Sequence, residues 1–190
     1  MNAHRNLSIL LAIAGFIGAL AASMLLVERI ILLEDPNYVP MCSFGEVLDC
    51  GSVMTTDQAK VFGFPNAIIG IVGFSVVLTI GMAGLAGATF KGWFWGGLQI
   101  GVSFAVMFIH WLMYQTLFII QALCLYCMIV WAVTGPLFWY VTIRNLGAFD
   151  DSDVDEPGLL TDTMVARYHW VVPVLWIVAV TALVLNTFYI

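Results

Sequence analysis

The chain has 190 residues, 62% of them hydrophobic and 9% charged, with a formal net charge of −6. A mean hydropathy of +1.01 excludes a soluble globular domain. Six Lys and Arg against twelve Asp and Glu leave no basic surface for nucleic acid, so the composition is that of an integral membrane protein.

A bilayer core of about 30 Å takes roughly 20 apolar residues per helix. Five segments meet this in chain order: Leu7–Val27, Ala67–Phe90, Trp93–Leu117, Leu123–Ile143 and Trp170–Tyr189. Arg5 ahead of the first gives it the look of a signal peptide, but its apolar stretch exceeds the usual run of about 7–15 residues. An uncleaved span is therefore expected. The following "RIILLEDPNYVP" continues that helix until Pro36 breaks it, and suggests no chemistry. No internal repeat and no second, soluble domain is evident.

Arg5, Lys91, Arg144 and Arg167 fall on one set of connections and only Arg29 and Lys60 on the other, which predicts a cytoplasmic N-terminus. The acidic run "DDSDVDEPG" at 150–158 then lies in a cytoplasmic, solvated linker. Cys42 and Cys50 fall in the loop between spans one and two, and Cys124 and Cys127 at the head of span four. All four thus face the external side, where an oxidising compartment permits disulfides.

Positions i and i+3 of a helix share a face, so Cys124 and Cys127 need only local adjustment to meet disulfide geometry. Cys124 in the first helical turn would have its thiolate favoured by unpaired N–H groups and the helix dipole. Cys127 would sit about 4.5 Å deeper, at a rise of about 1.5 Å per residue. One cysteine can then face water while the other faces the membrane. A C-x-x-C pair is also compatible with small apolar filling or with static disulfides. Zinc is disfavoured, because seven residues separate Cys42 from Cys50 where structural sites use about two to four.

"MCSFGEVLDCGSV", "FPNAIIG" at the mouth of span two and "LCLYCMIVW" opening span four together resemble the vitamin K epoxide reductase family in its bacterial branch. The resemblance covers spans one to four, roughly 7–143, and leaves out the linker and span five. It implies an all-α polytopic membrane protein: a four-transmembrane-helix bundle around a quinone, menaquinone or ubiquinone, with a fifth transmembrane helix added. The expected organisation is a catalytic unit over 1–145 with an external redox loop at 28–66, a linker at 146–169 and a last helix at 170–190. The implied activity is similar to that of disulfide bond formation protein B in a bacterial plasma membrane. Such a protein reoxidises a DsbA-like thioredoxin-fold partner, expected here to be a separate chain. Under the same resemblance Cys42 and Cys50 form the shuttle pair, and Cys124 and Cys127 the pair beside the quinone. Vitamin K epoxide reduction and a structural protein with permanent bridges are the competing readings.

Asn66 matches the family asparagine that donates to a quinone carbonyl, although "PN" is also a helix-start signal. Trp131 stands where vertebrate members carry a tyrosine against the vitamin K head group, which turns the expectation from epoxide toward quinone. Tyr126 could supply a hydroxyl instead. Ser52, Thr55 and Thr56 compete for the hydroxyl that the family places after the second loop cysteine. The run "SVMTTDQAKVFGF" suggests an amphipathic helix with Val53, Met54, Val61 and Phe62 on the membrane surface, covering the quinone mouth. His110, well inside span three, is a candidate either for protonation or for ordering the bundle.

Overall fold

The computed structural model describes residues 2–45, 47–147 and 168–189. In chain order they form α1 (Asn2–Glu34), the short α2 (Cys50–Met54), a 3-10 turn (Asp57–Lys60), α3 (Asn66–Leu85), α4 (Gly92–Tyr114), a π turn (Gln115–Ile120), α5 (Leu125–Asn145) and α6 (Val171–Tyr189). Five of these helices are long and apolar enough to cross a membrane, giving the all-α, multi-pass architecture expected from the sequence. The acidic stretch at 150–158 lies outside the described residues.

Local chemistry sets the helix ends. α1 runs two turns past the predicted span and stops before Pro36, whose ring cannot continue a helix. α3 stops at Leu85 rather than Phe90, because Gly87 adopts φ +91° and the N–H groups of Ala86 and Gly87 turn back onto the Met82 and Gly84 carbonyls. α4 instead runs on into the π turn, which ends where Gln121 enters the left-handed region at φ 56°. A π turn re-aims the side chains beyond it, and such turns recur at functional sites.

α1 packs on α3 and α5, and α5 packs on α4 and α6. Lipid supplies no hydrophobic drive between helices, so close van der Waals packing through small residues has to hold them. The α1–α3 seam is built this way: a Cβ on Gly15 would run into the Leu78 backbone, and one on Gly81 into the Ala12 backbone. Gly81→Val is expected to destabilise the bundle by about 1–3 kcal/mol, the range for overpacking. Thermal unfolding in lipid checks this, with Gly73→Val, where the space is open, as the control. Leu11, Phe74 and Val77 fill the core of the seam, and Leu137 and Val141 of α5 pack against them.

At the end away from the cysteines, polar groups clamp α4 to α5. Gln99 donates to the Thr142 hydroxyl at 3.0 Å, Asn145 donates to the Trp95 carbonyl at 3.2 Å, and the Arg144 guanidinium lies 4.1 Å over the Trp95 ring. Trp176 of α6 presses on Gly135 of α5, donates to the Trp131 carbonyl at 3.4 Å, and meets the His110 ring of α4 at 4.8 Å. The faces of α3 and α4 that look toward each other border a cleft instead of a packed seam.

Candidate active site

The loop after α1 is docked on the chain just ahead of α5. Leu48 and Leu123 form a β-bridge, and the Leu123 N–H donates to the Val47 carbonyl at 2.7 Å. Asp49 caps α2, accepting from the Gly51 N–H at 3.0 Å, from the Ser43 hydroxyl at 2.8 Å and from the Ser52 hydroxyl. Burial works against its charge, but the donors from Ser52, Ser43 and Gly51 outweigh burial and hold its carboxyl below the usual range. Bridge and cap together fix Cys50 at the head of α2.

Cys50 is joined to Cys42 by a disulfide, and both are buried. Cys124 is the N-cap residue of α5, with extended φ and ψ of −113° and 122°, and its thiol is free. The sulfurs of Cys42, Cys50 and Cys124 all lie within 4.8 Å of one another, packed among Val53, Met54 and Ala122. Two of the three are bonded to each other, so the cluster is arranged for disulfide exchange more than for holding a metal.

Hydrogen bonding from the Cys127 thiol, helped by the N–H groups of Cys127 and Tyr126, holds the Cys124 thiol below its ordinary value although burial pushes the other way. Its thiolate therefore persists to lower pH than that of a free cysteine. A titration by thiolate ultraviolet absorbance should show the first proton leaving below the ordinary cysteine value. Cys127→Ala removes the leading cause and should move that step upward.

Cys127, one turn further along α5, forms part of the wall of a cavity of about 770 Å³ bounded by α1, α3, α4 and α5. Its body is apolar, lined by Phe74, Val77, Val102 and Leu137. Most of its polar groups, Arg29, Thr56, Gln58, Asn66, Gln115 and Thr116, gather at the cysteine end, while Thr134 lies two turns further along α5 with its hydroxyl on the Val130 carbonyl. Exposed Val72, Val76 and Phe104 also border it, so it opens sideways between α3 and α4.

Asn66 and Trp131 line this cavity. Asn66 is the first residue of α3 and does not cap it. Its Nδ2 donates to the Gln58 carbonyl at 2.7 Å and its Oδ1 accepts from the Val61 N–H at 3.2 Å, leaving one amide hydrogen to offer. Tyr126 packs instead against the sulfur cluster, and Phe62 touches Phe64 and Phe108 behind the wall, with ring centroids at 6.2 and 5.8 Å. Of the three hydroxyl candidates, Ser52 is bound to Asp49, Thr55 bonds back to the Gly51 and Ser52 carbonyls, and Thr56 borders the cavity. His110 bonds to the Val106 carbonyl at 2.7 Å and faces α6.

One expectation is corrected. Val53 and Met54 do not lie on the membrane surface; they turn inward against the sulfurs, whereas Val61 and Phe62 remain exposed. The run is broken between α2 and the 3-10 turn, so no single amphipathic face forms.

Two neighbours on α1 carry no chemistry in the sequence reading yet reach the loop. Glu28 accepts from the Tyr38 hydroxyl at 2.9 Å and the Met41 N–H at 3.3 Å, while Arg29 donates to the Ala59 carbonyl at 3.0 Å. A charged pair inside an apolar helix was the available signal.

A disulfide seated on a helix-head thiol, beside an apolar cavity among membrane-spanning helices, defines a membrane redox protein that works through cysteines. The model of the vitamin K epoxide reductase family matches residues 9–142, and the chain belongs to that family. The match makes it an oxidoreductase of the membrane and leaves α6 outside. A search of curated proteins finds no match to the chain.

Proposed function

We propose that this protein is a membrane thiol:quinone oxidoreductase. It reoxidises a secreted DsbA-like thioredoxin-fold protein and passes the electrons through two cysteine pairs to a membrane quinone. The supporting observation is the placement of Cys124 within 4.8 Å of the Cys42–Cys50 sulfurs, one turn from Cys127 on the cavity wall.

A reduced partner thiolate attacks the Cys42–Cys50 bond at Cys42, and the partner's second thiol releases it oxidised. Freed Cys50 attacks Cys124 of an oxidised inner pair, expelling Cys127 as thiolate. Cys42 then closes on Cys50, leaving the loop pair oxidised and the inner pair reduced, the arrangement seen here. As the inner pair gives up its electrons, Cys124 and Cys127 close to a disulfide. A quinone held in the cavity would supply the acceptor for those two electrons and two protons. The residues present suit it: an apolar channel for a hydrocarbon tail, and amide donors on Asn66 and Gln115 at the sulfur end.

The test is turnover in lipid with a reduced thioredoxin-fold protein and either ubiquinone or menaquinone as acceptor. One hydroquinone per partner disulfide formed is expected. Turnover only with vitamin K epoxide would transfer the assignment to epoxide reduction, and inert cysteine pairs would make the bridges structural. The Lys and Arg distribution supports a cytoplasmic N-terminus with the cysteines on the external face of a bacterial plasma membrane. An impermeant thiol reagent should label reduced Cys42 on intact cells; labelling only after the membrane is opened would reverse that orientation.

A further inference from the structure

Burying a carboxyl inside an apolar helix is costly unless it is bonded, and such a group marks a function. Glu28 is 2% exposed. A single oxygen, Oε2, receives both the Tyr38 hydroxyl and the N–H of Met41, the residue before Cys42. A turn lies on either side of this stretch, with the Tyr38 N–H on the Asp35 carbonyl at 3.0 Å and the Ser43 N–H on the Pro40 carbonyl at 2.9 Å. Glu28 therefore holds the Cys42 end of the loop to α1. The Cys50 end has its own anchor, the Leu48–Leu123 bridge ahead of α5.

We infer that Glu28 is a positioning residue for Cys42, holding it against α1 once the Cys42–Cys50 bond has opened. With the disulfide intact, each anchor steadies both cysteines. After reduction the anchors act separately: Cys50 stays with Cys124, and Cys42 stays only as long as Glu28 holds Met41 and Tyr38. That hold decides how often Cys42 swings out to a partner and how often it returns to close on Cys50. No atom or electron moves through Glu28; it acts through Cys42. This use presupposes the relay proposed above, whereas the exposure of Cys42 is measured without it.

The experiment is timed alkylation of the fully reduced, full-length protein in lipid with a bulky maleimide, resolved cysteine by cysteine by mass spectrometry. Glu28→Ala should speed modification of Cys42 by about tenfold, the range for losing two hydrogen bonds to one buried acceptor. Cys50 should keep its wild-type rate, because its bridge is untouched. Glu28→Gln, which retains an acceptor oxygen, should fall between the two. Tyr38→Phe, which removes one donor and leaves Glu28 in place, should speed Cys42 by about threefold and decides the matter should Glu28→Ala fail to fold. Cys42 and Cys50 accelerating together would reduce Glu28 to general support of the loop, and an unchanged Cys42 in both variants would overturn the role. Either pattern stands apart from a failure of quinone turnover, which the alkylation does not require.

Discussion

Cys127→Ala is expected to bring quinone reduction to background and to let a disulfide accumulate between Cys50 and Cys124. The sulfur facing the cavity is lost, so the inner pair has no second thiol with which to give up electrons. Cys124 keeps its seat at the head of α5, within 4.8 Å of the loop sulfurs, and can attack them. Cys42 still competes to reverse that attack; Cys42→Ala/Cys127→Ala closes that exit, and an added thiol oxidant such as diamide, which takes up the two electrons and two protons, should drive the bond nearly to completion. Cys50 is the expected partner because it lies two residues after the bridged Leu48, and Cys124 one residue after the bridged Leu123. The check is a cross-linked peptide joining loop to α5 after non-reducing digestion. A dominant Cys42–Cys124 bond in Cys127→Ala would reverse the roles of the loop pair, and no interloop bond in either variant would end the relay.

Cys42→Ala should abolish oxidation of a thioredoxin-fold partner while a small dithiol still drives slow quinone reduction through Cys124 and Cys127. The loop sulfurs are the outer station, and without Cys42 a protein thiol has no disulfide to attack. A small dithiol needs no docking surface. It must still reach Cys124, which is wholly buried, so its rate should follow opening of the loop. Loss of the loop disulfide itself favours that opening. The comparison is partner-driven against dithiol-driven hydroquinone formation in the same preparation. Equal loss of dithiol turnover in Cys42→Ala and Cys127→Ala would show that the loop pair is needed at every step, contrary to the division of labour proposed.

The five spans were legible because membrane helices must be long and apolar, and their errors arise where a single residue decides the end. Gly87 cut α3 short, and the π turn carried α4 to Ile120, neither of which hydropathy records. Cys124 and Cys127 were legible in spacing and in position at a helix head, since that geometry is local. Val53 and Met54 were misplaced because an amphipathic pattern names an apolar face without saying whether lipid or protein covers it; the docked loop supplies protein. Glu28 was hidden for a related reason. Its partners lie ten and thirteen residues onward, brought back by turns around Pro36 and Pro40 that periodicity does not encode. Tyr126 and Phe62 differ from Asn66 and Trp131 only in which way they point, which depends on packing between elements.

The sideways mouth of the cavity between α3 and α4 has a consequence for kinetics. A hydrophobic acceptor entering there never crosses bulk water; it arrives by diffusion in two dimensions, and its encounter rate depends on its mole fraction in the surrounding lipid. Affinity expressed per volume of solution would then change with the amount of detergent or lipid added, at constant protein and constant acceptor. Expressed per lipid molecule, it would not.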